Sequence, residues 1–360
     1  MMREEKRAVA LLGSAHFFVD FACTAMLGAL SARLPHSQII LCAILYNGLA
    51  FAFQLPIGAL ADGCRLSRSM AAFGCVLVAA GAWFAEPLPI CLLIGLGNAC
   101  FHVGGGREAL HRGKGSAGIV GRFVAPGAIG IFFGPRLAAL SWLRGIVLPL
   151  VLLLLAGGLF LSRRQGKRAE QLRIGAAGCS PGRLAGLLVC MFLTVLLRSY
   201  MGTVLRFPLF SGFGWAAGFT LCIFAGKYFG GILSDRFGVL RFGAAAQLLS
   251  AVLLALSPFF APLALPGIFL FNTSMAVTAN ALYKAMPQYG GTMFGLTTFA
   301  LFLGVLPRLL GWENVLFTWW GLLGMGLVSA ALLLGGLILG TGGGTNAPLA
   351  PAVAGADTAP

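Results

Sequence analysis

Acidic residues are scarce in this chain: 10 Asp and Glu among 360 residues, against 25 Lys and Arg, for a formal net charge of +15. Charge of either sign is scarce as well, at 10% of residues, where a soluble globular domain carries roughly 25%. With 59% hydrophobic residues and a mean hydropathy of +0.92, that shortage excludes a soluble globular protein. It also leaves no stretch from which a separate soluble catalytic or nucleic-acid-binding domain could be built. In a soluble chain the positive excess would point to nucleic acid; here it points to basic loops facing anionic lipid and the inner side of a membrane. The nine cysteines (Cys23, Cys42, Cys64, Cys75, Cys91, Cys100, Cys179, Cys190 and Cys222) contain no C-x-x-C and lie mostly in apolar runs. They offer no disulfide framework or zinc site and read as small hydrophobes packed between helices. No metal or cofactor is expected. Gly104-Gly105-Gly106 lacks the Lys-Ser/Thr pair of a phosphate loop and lies inside an apolar run, where close packing or bending accounts for it.

What the chain has in abundance is long apolar runs. Read against turn and charge punctuation, they give twelve candidate spans at residues 8–32, 38–61, 69–85, 88–110, 118–141, 145–162, 184–206, 208–234, 242–260, 263–286, 291–309 and 314–340. The third and sixth are short, and the fifth is interrupted by Arg122, Pro126 and Pro135. The start, with Arg3, Lys6 and Arg7 before an apolar run, imitates a secretory signal. The run is too long for one, however, and carries His16 and Asp20, so it reads as a retained helix.

Lys and Arg are retained on the cytoplasmic side of short loops. With the N-terminus inside, that side collects Arg3, Lys6, Arg7, Arg65, Arg68, Arg107, Arg112, Lys114, the cluster from Arg163 to Arg183, Arg236, Arg241 and Lys284. The other side keeps Arg33, Arg136, Arg144, Arg206 and Arg308. Both termini are therefore expected in the cytoplasm, in an inner (plasma) membrane. A basic, Gly-rich linker at 163–182 divides residues 1–162 from residues 183–340, six helices each. The tail at 341–360, rich in Gly, Ala and Pro, has too little periodic apolar surface to fold.

One pattern occurs at the end of the second helix of each half. The first copy runs Gly58-Ala-Leu60-Ala-Asp62-Gly63-Cys64-Arg65-Leu-Ser-Arg68; the second runs Gly231-Ile-Leu233-Ser-Asp235-Arg236-Phe-Gly238-Val-Leu-Arg241. Glycine permits close helix approach, and an acid among arginines at a helix end can hold one conformation and release it in another. Duplicated six-helix halves are a transporter design. On these residues the chain resembles the major facilitator superfamily, whose loop between helices 2 and 3 carries G-x-L-x-D-R-x-G-R-R, echoed between helices 8 and 9. The first copy departs from the pattern, with Gly63 in place of Arg and Arg65 in place of Gly. The resemblance implies an all-α integral membrane fold of twelve transmembrane helices in two pseudo-symmetric six-helix bundles.

On the fifth span, Gly121, Gly130 and Gly134-Pro135 look like the superfamily's antiporter motif, with Ala138-Ala139 at its terminal glycine pair. A packing face kinked by proline is the other reading of the same residues. Ser14-Ala-His16-Phe-Phe-Val-Asp20 on the first span resembles the fosmidomycin-resistance-type branch, as does Gly97-Asn98-Ala-Cys-Phe101-His102 followed by Arg107 on the fourth. Here Val103 and Gly104 replace that branch's Pro and Glu, leaving Glu108 as a substitute carboxylate. Phe271-Asn272-Thr273-Ser274-Met275 before Met286-Pro287 is similar to related exporters.

An ionised side chain at the centre of a bilayer costs roughly 2.5 to 3.5 kcal/mol on insertion scales, so it faces protein or a watery cavity. By helical rise Asp20 lies roughly 18 Å into the first span, His102 roughly 12 Å into the fourth and Arg198 roughly 21 Å into the seventh. Asn272 and Thr273 are on the tenth. These are the spans that line the central cavity in the superfamily. Spans 3, 6, 9 and 12 are peripheral by the same resemblance, and Phe160, Leu254 and Leu333 suit lipid contact.

Asp20 is expected to be the proton-coupling site, with His16, whose unperturbed pKa is about 6.5, sharing the task; a permanent interhelical clamp is the alternative. His102, Arg198, Asn98, Asn272, Thr273 and Tyr200 are candidate substrate contacts, a guanidinium being suited to carboxylate or phosphate. For Asn98 and Tyr200, as for Asn47 and Gln54, interhelical hydrogen bonding is the plainer role. Asp62, Arg65, Arg68, Arg107, Glu108, Lys227, Asp235, Arg236 and Arg241 are candidate gating residues; Lys227 reads equally as a snorkelling cation or a substrate contact. Intramembrane cations outnumber Asp20, which favours an anionic or zwitterionic solute. The expected protein is a monomeric secondary transporter in contact with membrane lipid, exporting a small organic molecule against protons and binding no nucleic acid. A uniporter or symporter would use the same architecture. An integral membrane enzyme or a non-transporting sensor are the rivals, the first lacking a nucleophile or metal constellation and the second a signalling domain.

Overall fold

The computed structural model describes residues 3–64, 67–162, 180–205, 212–312 and 316–340. Among these the chain is helical throughout, as hydrocarbon requires, because only intrahelical bonds satisfy the backbone of an isolated spanning segment. The helices are α1 (Arg3–Ser31), α2 (His36–Asn47), α3 (Gln54–Cys64), α4 (Ser67–Gly81), α5 (Pro87–Gly113), α6 (Ala117–Leu137), α7 (Leu148–Ser162), α8 (Pro181–Val204), α9 (Phe213–Phe237), α10 (Val239–Leu256), α11 (Ala264–Asn272), α12 (Ser274–Ala285), α13 (Gly290–Leu309) and α14 (Trp319–Gly340). A π turn at Gly48–Ala52 joins α2 to α3 within the second span, and α11 with α12 forms the tenth. Among the described residues eleven spans are long and apolar enough to cross a membrane, and the 15-residue α4 is the short twelfth.

Most boundaries fall within a few residues of the sequence reading. The seventh span starts inside the expected linker, at Pro181. Ser180 is extended there and its side chain accepts the N–H of Arg183 at 3.4 Å, while proline fills the first helical position, where its missing N–H costs nothing. The eighth begins at Phe213 rather than 208. Residues 163–179 of the linker, the tail at 341–360, Arg65 and Arg206 lie outside the described residues.

In the first half α1 packs on α6, and α4 on α5 and α7; in the second, α14 packs on α8 and α10, α13 on α8, and α11 on α9 and α10. The halves meet where α6 crosses α9 and α3 crosses α13. Both crossings depend on glycine at closest approach: a Cβ on Gly58 would overlap the backbone of Gly291, and one on Gly231 the backbone of Ala117. The peripheral spans correct one expectation. Phe160 is exposed as expected, but Leu254 and Leu333 are buried, because α10 and α14 turn those residues into the bundle rather than toward lipid.

Candidate functional site

Two helical turns, one on α1 and one on α5, bring four polar side chains to a single buried point. His16 and Asp20 share a face of α1, with His16 Nε2 3.2 Å from Asp20 Oδ2. Asn98 and His102 share a face of α5; Asn98 Nδ2 donates to Asp20 Oδ1 at 3.1 Å. His102 Nε2 lies 2.8 Å from His16 Nε2 and 3.7 Å from Asp20 Oδ1. The third wall is α6. Its Phe123 carbonyl accepts His16 Nδ1–H at 2.8 Å, and Gly127 leaves open the space that a Cβ would take from the Asp20 carboxylate and the His16 ring. Phe101 and Phe123 pack against the His16 ring with centroids at 5.9 and 4.9 Å. The donor atoms of His16, Asp20 and His102 all lie within 4.8 Å of one another, close enough to share one small cation. His102 and Asn98, expected at the substrate, are therefore placed against the Asp20 carboxylate and the His16 imidazole.

The second half supplies cations. Arg198 on α8 is buried with neutral partners only: Nη1 is 3.4 Å from Ser274 Oγ and Nη2 2.8 Å from Met275 Sδ. Lys227 on α9 lines a cavity of about 690 Å³ with Ala128, Phe132, Ser199, Phe219 and Thr220. No carboxylate lies within 4.0 Å of either cation among the described residues. The cavity runs from mid-depth at Lys227 to Arg136, Leu205 and Trp215, residues at the ends of α6 and α8 and the start of α9. It thus lies toward the face opposite the one where α3 and α9 end. Lys227 is close enough to Asp20 and His102 for their charges to interact. The charged residues lining the cavity are Lys227 and Arg136, both cationic, so it offers positive charge to a solute; Arg198 lies outside that lining, and a buried guanidinium without an anion is costly.

The opposite face is closed by the duplicated pattern. Asp62 accepts the N–H groups of Gly291 and Thr292 at 2.7 and 2.8 Å and the Thr292 hydroxyl at 2.7 Å, capping α13 across the interface. Asp235 does the same for α6, accepting from Ala117 and Gly118 N–H at 3.0 and 2.9 Å and from Ser116 Oγ at 2.6 Å. A carboxylate is favoured at a helix N-terminus because the first N–H groups there lack intrahelical partners. Arg107 adds an ion pair to Asp62 at 3.0 Å and donates to Ser67 Oγ at 2.6 Å. Glu108 faces elsewhere, pairing with Arg68 and Arg112, each at 2.7 Å; Arg68 also reaches the Ser162 carbonyl.

The remaining candidates are dispersed. Asn272 Nδ2 donates to Ile268 O at 2.9 Å and Thr273 Oγ1 to Leu270 O at 2.6 Å; both sit in the seam where the tenth span packs on Gly226 and Gly230 of α9. Tyr200 packs beside the apolar cluster of Met201, Leu254 and Phe271. Arg236 lies over the Phe237 ring at 5.4 Å, and Arg241 is exposed. Gly130 and Gly134 face α1 at Phe17 and Thr24, Gly121 faces the Lys227 carbonyl on α9, and Pro135 abuts Gly28. The sequence reading missed the cross-interface bonds of His111 Nδ1 with Tyr283 Oη at 2.9 Å and of Asn280 Nδ2 with Gly115 O at 2.8 Å. Their only signal was polarity near a basic helix end. Ser116, Ser67 and Thr292 were missed too, though a serine just before an apolar run is a capping signal.

The fold is that of the major facilitator superfamily. Solved structures sharing it include a variant of the E. coli fucose:proton symporter FucP, with a TM-score of 0.63 and 17% identity over 94% of this chain and 99% of that one. FucP in the outward conformation aligns with a TM-score of 0.61 at 16% identity, over 94% and 99% of the two chains. The human organic anion transporter MFSD10 (TETRAN) gives 0.57 at 15%, over 95% and 99%. No family model matches the sequence, and no curated protein does.

Proposed function

We propose that the chain is a secondary active transporter that couples proton movement to export of a small organic anion or zwitterion by alternating access. The observation that carries this reading is one arrangement: a buried His–Asp cluster on α1 and α5 within charge range of Lys227, which lies at the inner end of a cavity shut at one face, with a second buried cation without a carboxylate partner, Arg198, on the neighbouring α8. Asp20 and His16 carry the proton, and Arg198 and Lys227 take the solute's negative charge. Asp62 and Asp235 are the gate, with Arg107, Arg68 and Glu108 bracing the first copy. The charge bias of the loops makes the shut face cytoplasmic, with both termini there, in an inner membrane; on that reading the cavity faces outward. One bundle pair encloses one site, so a monomer suffices. The neighbours, a fucose:proton symporter and an organic anion transporter, support coupled transport of small organic solutes. The resemblance of the α1 and α5 segments to fosmidomycin-resistance-type proteins, and the glycine pattern of α6, support export.

Proton-coupled uptake is the second reading, favoured by the symporter neighbour. Purified protein in vesicles with an imposed pH gradient separates the two. Labelled phosphonates and carboxylates should move against the proton flow for export and with it for uptake. Asp20→Asn should abolish gradient-driven flux in either case, and unchanged coupled flux in that variant would remove Asp20 from the mechanism. Chemical conversion of the solute without net movement would favour a membrane enzyme.

A further inference from the structure

We propose that His16 and His102 share a single proton between their Nε2 atoms, with Asp20 as its counter-ion, so that the coupling unit is a three-residue, one-proton device in which His102 is a carrier rather than a substrate contact. As a coupling device it rests on the transport reading above. As a protonation state it rests on donor and acceptor accounting alone.

The outer ring nitrogens fix both tautomers. His16 Nδ1 is 2.8 Å from the Phe123 carbonyl and His102 Nδ1 is 2.9 Å from the Asn98 carbonyl. A carbonyl only accepts, so each Nδ1 carries hydrogen. In two neutral imidazoles both Nε2 atoms would then be bare lone pairs, and they face each other at 2.8 Å in a buried site. That distance suits a hydrogen bond and not two acceptors. Asn98 Nδ2 is directed at Asp20 Oδ1 and offers the ring nitrogens nothing. One added proton satisfies the pair: one Nε2 donates it and the other accepts it.

Charge points the same way. The protonated pair and the Asp20 carboxylate, 3.2 Å from His16 Nε2, sum to zero. A divalent metal ion on the same three donors would leave the cluster with a net positive charge, within charge range of the Lys227 cation. Cys23 and Tyr46 are the other titratable groups near the carboxylate; α6 presents Phe123 and Gly127. Transfer of the proton from Nε2 to Asp20 Oδ2 leaves a neutral acid and two neutral rings, with nothing else made or broken. The two lone pairs then face each other, and the α1–α5 contact loosens. Movement of the proton onto Asp20 is thereby converted into a mechanical change within the first bundle.

The chain has only four histidines, so histidine-selective 15N labelling gives a readable solid-state spectrum in lipid. The expected result is that Nδ1 of His16 and His102 stays protonated at all pH. Their two Nε2 signals should be averaged toward a value between protonated and bare, and should titrate together as one proton. In His102→Gln, His16 should titrate as a single ring. Independent titration of the two rings in the wild-type protein would overturn the proposal, as would bare Nε2 on both throughout the range. Stoichiometric copurified metal lost in His102→Gln would also overturn it. The wild-type spectrum decides even if the variant does not fold, and it does so whether or not any solute is transported.

Discussion

The two copies of the gate pattern have the same glycine and aspartate four residues apart and the same target, the first N–H groups of a helix in the other bundle. They are not of equal strength. Asp62 is nearly inaccessible, at 5% side-chain exposure, and is braced by Arg107, itself held by Ser67. Asp235 is exposed, and among the described residues it accepts from the helix end and the Ser116 hydroxyl and has no cation within 4.0 Å. The first copy, which departs further from the superfamily pattern in sequence, is the more firmly held across the interface, because Arg107 of α5 pairs with its aspartate, whereas Arg236 of the second copy lies on the Phe237 ring. A motif match therefore ranks the two sites in the wrong order, since strength depends on burial and on who arrives from other helices.

The comparison can be broken most forcefully at Asp62. Asp62→Asn removes a buried carboxylate and strands Arg107, a change that costs about 3–5 kcal/mol, or roughly 10²- to several 10³-fold in favour of opening that face. Spin labels on Leu60 and Arg241, both exposed there, in a cysteine-free background should report a longer distance. An unchanged distance would mean that the lock is elsewhere. Arg198→Gln comes next. Removing a charge-assisted contact to the solute costs about 1.5–3 kcal/mol, so KM for anionic solutes should rise roughly tenfold or more in vesicle uptake, with little change for neutral ones. Asp235→Asn should cost about 1 kcal/mol, a several-fold shift by the same labels; parity with Asp62→Asn would erase the asymmetry. Because the two locks share no partner, the double variant should equal the sum of the singles within about 0.5 kcal/mol. Ser116→Ala is the smallest, with a loss under about 1 kcal/mol at an exposed site.

Much of the site was legible in sequence, but as isolated residues. Mid-depth His16, Asp20, His102 and Arg198 stood out because ionisable groups are costly in oil. The i, i+4 spacing put His16 over Asp20 and Asn98 over His102. The meeting of those two pairs was not legible, since spacing along one helix says nothing about how a second helix is rotated toward it. Asn272 and Thr273 show the opposite failure: polar and well placed in depth, they spend their donors on their own helix. Leu254 and Leu333 fail in a related way, because an apolar side chain suits lipid and protein interior equally.

The sequence by itself determined the number of spans, their repeat across the two halves and the depth of each polar residue, because hydropathy and charge are properties of the chain read in one dimension. Only the tertiary structure decided that His102 meets His16, that Arg107 pairs with Asp62 and that the cavity lies away from Asp62 and Asp235. Those outcomes depend on the azimuth and crossing point of helices far apart in sequence, set by where glycines let two backbones touch.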